Sequence, residues 1–435
     1  MNWRWARTET KEKVIAQPDG RGTLPPQGRP VPTVAEPATE RTGGGHRSSC
    51  WSHVTQTLCT DGSAVNNVIR ELTREAGQRG IRSAVAASDS RGNVFPDAEL
   101  LPVDFLRYLS REYLTTRETR EDIVVGHLGL RRRNVGRLFR PVAEALDATD
   151  GPIVVHDGLL GAAGLVVIKD RHPGRPLFLY VHNSLSRGYS RRELRRFIAL
   201  TDAVICVSDA TRASIAAKVG DHPARRKLLV VHNGVDSERF HPGGPRSGGV
   251  ASILFVGMMG AIKGPHVLMA ALRILQDRGV PLAATFLGST THAVGLPLSD
   301  YEEGLRREQE VLGPGVTFRP FVPNTDVPSI LRQHDILVVP SQFDDPCPLV
   351  LFEGMASGLA AVASRRGGIP EIGGDSIDYF DDVEGLAAAL QALITDPGRL
   401  RRQAERARQR ALELSWSSAF EQVRAIVGQA EHARL

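Results

Sequence analysis

Two carboxylates that flank the start of a helix are the residues best suited to chemistry in this chain. Asp345 lies in a loop after an apolar strand, and Glu353 follows eight residues later, one turn inside the predicted helix 349–357. The backbone N–H groups of Leu349 and Val350 lie at the helix N-terminus, where the helix dipole favours a phosphate. Two acids beside a phosphate cradle suit a ligand with hydroxyl groups at both ends and a diphosphate between them, as in a nucleotide-sugar. An ordinary capped surface helix would show the same spacing.

The elements around these residues predict a two-domain α/β architecture. Residues 1–49 are rich in Pro and Gly and lack apolar periodicity, so we predict a disordered tail. Residues 50–243 and 244–415 each show short β-branched strands that alternate with helices, the pattern of a doubly wound parallel sheet. The Pro- and Gly-rich stretch 242–249 separates them, and helix 416–435 closes the chain. We therefore expect two Rossmann-like domains that face each other across a ligand cleft.

Short apolar runs mark the individual strands of both halves. In the first half the predicted strands are His53–Cys59, Arg82–Ser88, Ile123–Gly126, Pro152–His156, Leu177–His182, Ala203–Val207 and Leu228–His232. In the second half they are Ser252–Val256, Ala283–Gly288, Thr317–Arg319, Asp335–Pro340 and Ala360–Ala363. Ligands of such sheets bind beyond the carboxyl ends of the strands.

Composition excludes several classes of protein. The 435 residues are 41% hydrophobic and 24% charged, which is ordinary for a globular protein and excludes a fibrous or wholly disordered chain. No window approaches 18 consecutive apolar residues, and the N-terminus has no apolar signal region, so we predict neither a membrane span nor a secretory signal. Cysteines 50, 59, 206 and 347 are scattered without CxxC spacing. We interpret them as reduced thiols of a cytoplasmic protein.

The net charge of +5 comes mostly from arginine, since the chain has only six lysines. Residues 50–243 carry a net charge of +6 and residues 244–415 one of −4, as expected for two domains with different surfaces. In the predicted helix 190–200, four arginines share one face: Arg191, Arg192, Arg195 and Arg196. A solvated helix is the plain interpretation, and contact with an anionic acceptor or the inner face of a membrane is the functional one. Aromatic residues are 6% and not interleaved with the basic ones, which argues against nucleic acid.

As an ordered set, the apolar and polar blocks resemble retaining glycosyltransferase family 4, also described as glycosyl transferases group 1. The usual signature is an acid, seven residues, Glu-Ala-Met-Ala-x-Gly, a strand, and Gly-Gly-x-x-Glu. The matching blocks here are Leu179–His182, Ala203–Ser208, Val231–Asp236, Ile253–Gly264, Asp345, Glu353–Gly358 and Gly367–Glu371. The resemblance covers roughly residues 53–430.

This resemblance implies a GT-B fold and a hexosyltransferase that uses a nucleotide-diphosphate sugar with retention of configuration. Glu353 would bind the ribose hydroxyls, Asp345 the hydroxyls of the transferred sugar, and Lys263 the diphosphate. His182 would contact the donor sugar near the reacting centre. The second domain would bind the donor. The first domain would bind the acceptor, with helix 416–435 packing back to complete it.

Further candidates follow strands of the first domain. Gly62 comes after the first strand, where a glycine lets the backbone approach a diphosphate closely; a plain turn glycine is the alternative. His156 and Asp157 end a later strand and would line the acceptor side. For His182 the alternative is a buried, hydrogen-bonded histidine. No metal-ligand spacing such as HExxH occurs, so we predict no metal or other cofactor.

Three positions depart from the family pattern. Met258 stands where an Arg is common, Asp345 replaces the commoner Glu, and Pro348 occupies a position often held by Gly. Arg365 or Arg366 is a candidate for the missing cation. Two alternatives therefore stay open: a nucleotide-sugar epimerase or hydrolase of the same fold, and a catalytically impaired nucleotide-sugar-binding homologue. The acceptor classes considered are a cell-envelope glycan, a lipid and an antibiotic-like secondary metabolite.

Overall fold

The computed structural model describes residues 50–55, 63–88, 94–103, 115–156, 161–244, 249–290 and 298–434. The predicted tail 1–49, Gly62 and Asp157 lie outside these ranges. Within them the chain forms two parallel sheets, each accompanied by helices. The predicted two-domain α/β architecture is therefore confirmed.

The first sheet is built from seven strands of the described residues. They are β1 (Trp51–Val54), β2 (Ser83–Ala87), β3 (Glu99–Pro102), β4 (Ile153–His156), β5 (Leu177–Val181), β6 (Ala203–Cys206) and β7 (Leu228–Val230). All pairs are parallel, and the order is β3-β2-β1-β4-β5-β6-β7. Because β1, β4 and β5 are neighbours, residues at their carboxyl ends converge at one edge of the sheet.

Eight described helices accompany this sheet. They are α1 (Ala64–Gln78), α2 (Thr116–His127), α3 (Arg133–Leu138), α4 (Arg140–Ala145), α5 (Gly161–Arg171), α6 (Leu185–Gly188), α7 (Arg191–Leu200) and α8 (Asp209–Val219). Ser208 caps α8 by accepting a hydrogen bond from the Thr211 N–H. This cap explains why the chain turns from strand to helix directly after β6.

One predicted strand of the first half is wrong. Ile123–Gly126 lies inside α2, which begins with a capping box between Thr115 and Glu118. The capping box favours a helix over this short β-branched run, and Val124 is 61% exposed instead of buried in a sheet. The edge position belongs to β3, whose three exposed residues and terminal Pro102 give only a weak strand pattern.

The second sheet contains six strands of the described residues, in the order β10-β9-β8-β11-β12-β13. The strands are β8 (Ile253–Val256), β9 (Ala284–Leu287), β10 (Val316–Arg319), β11 (Ile336–Val339), β12 (Ala360–Ser364) and β13 (Asp378–Phe380). The helices are α9 (Pro265–Asp277), α10 (Asp300–Leu312), α11 (Val327–Leu331), α12 (Leu349–Ala356), α13 (Ile369–Gly373), α14 (Val383–Thr395), α15 (Pro397–Glu413) and α16 (Trp416–His432). Since β8 and β11 are adjacent, the loops that follow them meet at the sheet edge.

Helix α12 packs against its sheet at Gly354. A side-chain carbon at Gly354 would lie 2.4 Å from Leu337 Cδ2 of β11. Glycine at this position, where the family pattern has Ala, therefore permits the close approach. Both β11 and β12 are buried along their whole length, as expected for a parallel sheet covered on both faces.

The last helix, α16, returns to the first sheet. Its apolar residues recur at helical spacing, and the Phe420 ring lies 5.5 Å from the Trp51 ring of β1. Arg79, just after α1, bonds to the Glu421 carboxylate at 2.6 Å and lies over the Phe420 ring. The end of the chain thereby becomes part of the first core. None of the described helices is long and apolar enough to cross a membrane.

Candidate functional site

Lys263 and Asp345 come together at the carboxyl edge of the second sheet. Lys263 ends a one-turn 3-10 helix after β8, and Asp345 lies in the loop after β11. The Lys263 ammonium donates to Asp345 Oδ2 at 2.7 Å, and the Ser341 hydroxyl donates to the same oxygen at 3.0 Å. The Asp345 side chain is 5% exposed and that of Lys263 31% exposed. The carboxylate therefore holds the ammonium at the rim of the site.

Glycines on both sides allow these two loops to touch. Gly264 has a φ of +75°, and a side-chain carbon there would lie 1.9 Å from the Pro340 carbonyl oxygen. Gly367 has a φ of +56°, and its side-chain carbon would lie 2.2 Å from the Asp345 carbonyl oxygen. The Gly368 N–H donates to that same oxygen at 2.9 Å. Gly367 therefore packs directly against the backbone of Asp345, and Gly368 is hydrogen-bonded to it.

The N-terminus of α12 faces the loop that carries Asp345. Pro348 occupies the capping position, and no side chain of the described residues caps the helix. Since proline has no N–H, the first donors of the helix are those of Leu349 and Val350. Both residues are half-buried. An anion placed here would meet two N–H groups and the positive end of the helix dipole.

Glu353 projects from α12 toward the first domain. It lines a cavity of about 20 Å³ together with Arg70 and Glu71 of α1 and with Arg239. Burial raises the pKa of Glu353 to about 7, although the charges of Arg239 and Arg70 oppose the shift. Its carboxylate makes no hydrogen bond or ion pair with another described residue, so it is available to accept hydrogen bonds from ligand hydroxyls.

The charged residues around Glu353 were not predicted from the sequence. Arg239 donates to the Asn324 carbonyl and lies over the Phe240 ring. Arg74 of α1 bonds to Asp236 at 2.7 Å. The one sequence signal was the block Val231–Asp236, which lies just before Arg239, but α1 carries no motif of its own. Only the fold brings α1 beside α12.

Three histidines from neighbouring strands form a hydrogen-bonded chain. His53 lies in β1, His156 ends β4 and His182 follows β5. His53 Nδ1 lies 3.0 Å from His156 Nε2, and His156 Nδ1 lies 2.9 Å from His182 Nε2. His156 is 1% exposed, and its place on the acceptor side stays a prediction. His53 was not predicted; its only signal was a polar residue inside an apolar strand.

Burial keeps these imidazoles neutral at pH 7. It lowers the pKa of His53 to about 4 and that of His182 to about 3. The pKa of His156 is also well below its usual range. Burial disfavours its protonated form, and a positive charge on His182 or His53 would repel that form. Tyr180 stacks against His182 with 4.7 Å between ring centroids. It belongs to the apolar cluster against which Cys347 and Leu349 pack, and this cluster links the histidines to the α12 loop.

Glu371, the last residue of the Gly-Gly motif, bridges the two domains. Its carboxylate accepts hydrogen bonds from the N–H groups of Asp209 and Ala210, at 2.6 and 2.8 Å. It also bonds to His232 Nε2 at 2.9 Å. Although burial opposes the shift, the hydrogen bonds from His232, Ala210 and Asp209 lower the pKa of Glu371. This acid therefore fills the anion-binding N-terminus of α8 and joins the two halves.

Met258, which stands where the family commonly has Arg, and the candidate cations Arg365 and Arg366 lie in different surroundings. Met258 is 36% exposed on the loop after β8. The Arg365 guanidinium lies 4.5 Å from the centroid of the Tyr379 ring, so it stacks on the second domain's own edge. Arg366 is exposed. Among the described residues, no group of three or more His, Cys, Asp and Glu could hold a metal ion.

The arginines of α7 bond to neighbouring helix ends. Each donates to a backbone carbonyl at or just after the C-terminus of α8 or α2, where the helix dipole is negative. The pairs are Arg191 with Lys218, Arg195 with Val219, Arg192 with Leu128 and Arg196 with Gly129. A cavity of about 860 Å³ lies beside them, and residues of α3, α4, α5 and α7 contribute to its lining. These contacts support the structural interpretation of the Arg-rich helix, and its contact with a membrane or an anionic acceptor stays a prediction.

Comparison with protein families identifies both halves of the chain. Residues 65–239 match the family described as Glycosyltransferase Family 4. Residues 251–396 match the family described as Glycosyl transferases group 1.

Gly62 and Asp157 were predicted as site residues but lie outside the residues that the structure describes.

Curated relatives and solved structures agree with these matches. Spore coat protein SA of Bacillus subtilis is 28% identical over 52% of this chain, and the match spans 65% of that protein, just under two thirds. Alpha-maltose-1-phosphate synthase of Mycobacterium tuberculosis is 30% identical over 58% of this chain and 70% of that protein. The structure of Anabaena Alr3699/HepE in complex with UDP-glucose has a TM-score of 0.66, with 17% identity, 88% coverage of this chain and 100% of that one. That likeness supports the GT-B fold implied by the sequence.

Proposed function

The chain belongs to the group 1 glycosyl transferases of family 4, and from that membership we propose that it transfers a hexose-type sugar from a nucleotide-diphosphate sugar to a hydroxyl group, with retention of configuration. The observation that carries the proposal is the grouping of Lys263, Asp345 and the uncapped α12 N-terminus at one sheet edge, with Glu353 one turn away. In this proposal residues 244–415 bind the donor and residues 50–243 bind the acceptor.

Stabilisation of the leaving group is the main task assigned to the second domain. As the bond from the sugar to the diphosphate breaks, negative charge grows on the phosphate oxygens. Lys263 and the N–H groups of Leu349 and Val350 would meet that charge with donors that are already in place. Asp345 orients Lys263 and has a second carboxylate oxygen for sugar hydroxyls, while Glu353 accepts from the ribose. Lys263 and the two N–H groups supply the positive charge that faces the leaving group, so the proposal does not require a metal ion.

Retention requires the acceptor to attack the face from which the diphosphate leaves. The bond from the anomeric carbon to the phosphate oxygen breaks, and a bond from that carbon to the acceptor oxygen forms on the same face. The acceptor proton passes to the departing phosphate oxygen, which balances the step without an enzymatic nucleophile. Contact between the domains, as made by Glu371, would exclude water and limit hydrolysis of the donor.

A donor screen tests this proposal. UDP-, GDP- and dTDP-sugars are incubated with the full chain and a panel of hydroxyl acceptors, and mass spectrometry measures transfer and free nucleotide. We expect transfer that depends on the acceptor and that persists in the presence of a chelator. Glu353→Ala and Lys263→Ala should weaken donor binding, whereas the exposed control Lys218→Ala should not.

Product analysis separates the alternatives. Release of free sugar or an epimerised nucleotide-sugar without any acceptor would favour a hydrolase or epimerase. Nucleotide-sugar binding without turnover over the whole panel would favour an impaired homologue, the alternative motivated by Met258. Wild-type donor affinity and turnover in both Glu353→Ala and Lys263→Ala would show that the assigned donor site is wrong.

A further inference from the structure

The first domain contains a cavity of about 860 Å³ that takes no part in the proposed function. All of its lining residues lie between positions 130 and 197, so the first domain builds it alone. Helices α3 and α4 supply one wall, and α5 and α7 supply the other. Sites for small ligands have volumes of about 300–1,000 Å³, so this cavity has the size of a binding site.

Arginine determines the charge of the cavity. Seven arginines but only three acidic residues line it. Five of the arginines bond to the protein itself: Arg131 to Asp170, Arg132 to Glu193, Arg137 to Glu118, Arg171 to Asp147 and Arg196 to the Gly129 carbonyl. These bonds fix the walls, and the acids of the lining are too few to neutralise all of the positive charge.

Arg133 and Arg140 are the two remaining arginines. Both are exposed, and neither guanidinium forms a hydrogen bond or an ion pair with another described residue. Arg133 begins α3 and Arg140 begins α4, while Phe139 between the two helices keeps a right-handed helical backbone, with a φ of −93° and a ψ of −5°. Two helical turns therefore separate the arginines, about 10 Å along the axis, and both face the same cavity.

The opposite wall includes apolar side chains. Phe197 of α7 is 4% exposed and Val166 of α5 is 8% exposed, and Val167 beside it is half-buried. A guanidinium donates through a planar fork of N–H groups that matches the oxygen atoms of a phosphate. A ligand between the walls would thus meet two free phosphate-binding groups on one side and carbon on the other.

We propose that the cavity binds an organic anion that carries two phosphate groups. Arg133 and Arg140 each bind one phosphate, and the carbon skeleton between the phosphates lies toward Val167 and Phe197. The ligand contacts the first domain only, so it binds independently of the nucleotide-sugar, and the inference does not rest on the proposed function. Two sources offer this chemistry: a soluble bisphosphate, and neighbouring headgroups of a phospholipid surface.

Titration calorimetry of the full chain with fructose 1,6-bisphosphate tests the site. We expect saturable binding, at least about tenfold tighter than that of inorganic phosphate, which has one group to offer. Arg133→Ala/Arg140→Ala should weaken it about tenfold or more, since each change removes a charge-assisted hydrogen bond. The control Arg225→Ala/Arg226→Ala removes the same charge from an exposed turn of the same domain. Its affinity should stay within about twofold of the wild type.

Two further measurements separate this site from the donor site and one source from the other. Lys263→Ala should lose affinity for the nucleotide-sugar and keep affinity for the bisphosphate, and Arg133→Ala/Arg140→Ala should do the reverse. Sedimentation with vesicles of phosphatidylglycerol and phosphatidylcholine tests the lipid source. Vesicle binding that the bisphosphate displaces and the double variant loses would assign the site to lipid headgroups, whereas bisphosphate binding without vesicle binding would assign it to a soluble ligand.

Three results would overturn the inference. They are a wild-type protein that binds neither probe, equal affinities of the wild type and Arg133→Ala/Arg140→Ala, and an equal loss in the control, which would mean that only net charge matters. Circular dichroism checks the fold of the double variant. If it misfolds, Arg140→Gln gives the same comparison with an expected loss of about fivefold. Failure of the proposed function looks different: the bisphosphate would bind as expected to a protein that transfers no sugar.

Discussion

Lys263 and Asp345, which are 82 residues apart, form an ion pair of 2.7 Å at the point where two neighbouring strands end. The resemblance assigned them to different parts of the donor, the diphosphate and the sugar. The pair shows how both can act together: a carboxylate that is 5% exposed holds an ammonium that is 31% exposed. Asp345 thus holds in place the ammonium that we propose as the phosphate-binding cation.

Removing Lys263 should affect both binding and stability. Lys263→Ala deletes a charge-assisted contact to phosphate, so we expect donor affinity to fall about tenfold or more. It also leaves the Asp345 carboxylate buried without its cation, at a cost of roughly 1–3 kcal/mol in the free energy of unfolding. Calorimetric titration of the nucleotide-sugar and urea unfolding measure the two effects. The double variant Lys263→Ala/Asp345→Asn should regain stability without regaining affinity; recovery of both would contradict this role.

Glu353 should make stability fall as the pH rises. Its pKa in the folded protein is about 7, against an ordinary value of 4.5, so between these pH values the folded chain keeps a proton that the unfolded chain has lost. Stability is full below about pH 4.5 and declines until the folded carboxyl has ionised. Glu353→Gln removes this loss, and we expect it to be more stable than the wild type at pH 8, by up to roughly 2–3 kcal/mol, with little difference at pH 4.5. Urea unfolding at both pH values checks it, and exposed Glu405→Gln should show no such pH dependence.

Glu371 should control the contact between the domains. Glu371→Ala removes hydrogen bonds to two N–H groups of α8, so we expect the closed arrangement to lose about tenfold in population. Cys347 reports on this opening, because burial raises the pKa of its thiol to about 12 and should make it slow to alkylate. Peptide mass mapping after iodoacetamide treatment at pH 8 measures the rate. Equal Cys347 labelling in the wild type, Glu371→Ala and the exposed control Glu303→Ala would rule out the bridging role.

Two glycines at opposite ends of α9 give a matched test of how closely the loop of Lys263 packs against Pro340. Gly264 and Gly279 have φ values of +75° and +70°, but only Gly264 lies against another residue, the carbonyl of Pro340. Gly279→Ala should cost about 1–2 kcal/mol for the left-handed backbone alone. Gly264→Ala should cost more than about 3 kcal/mol and weaken donor binding, since the loop carrying Lys263 must move. Thermal unfolding and nucleotide-sugar titration of both variants check this, and equal effects would mean that the loop relaxes freely.

Local patterns predicted most of the scaffold. Strands such as Ile336–Val339 were readable because a parallel strand buried on both faces needs a continuous apolar run. Helix α12 could be predicted from the sequence because acids, glycines and apolar residues follow one another there in a fixed order. The pattern failed at Ile123–Gly126, where the capping pair Thr115 and Glu118 outweighed a β-branched run. It also missed β3, since an exposed edge strand carries little apolar signal.

The sequence by itself therefore determined the fold class, the family resemblance and the residues that line the sheet edge, because these depend on short-range periodicity and motif order. Tertiary structure alone decided which of them touch. The ion pair of Lys263 with Asp345, the bridge from Glu371 to α8 and the chain from His53 to His182 each join segments that only strand order makes neighbours. Strand order is a property of the whole sheet, and no local pattern encodes the distance between two side chains on different strands.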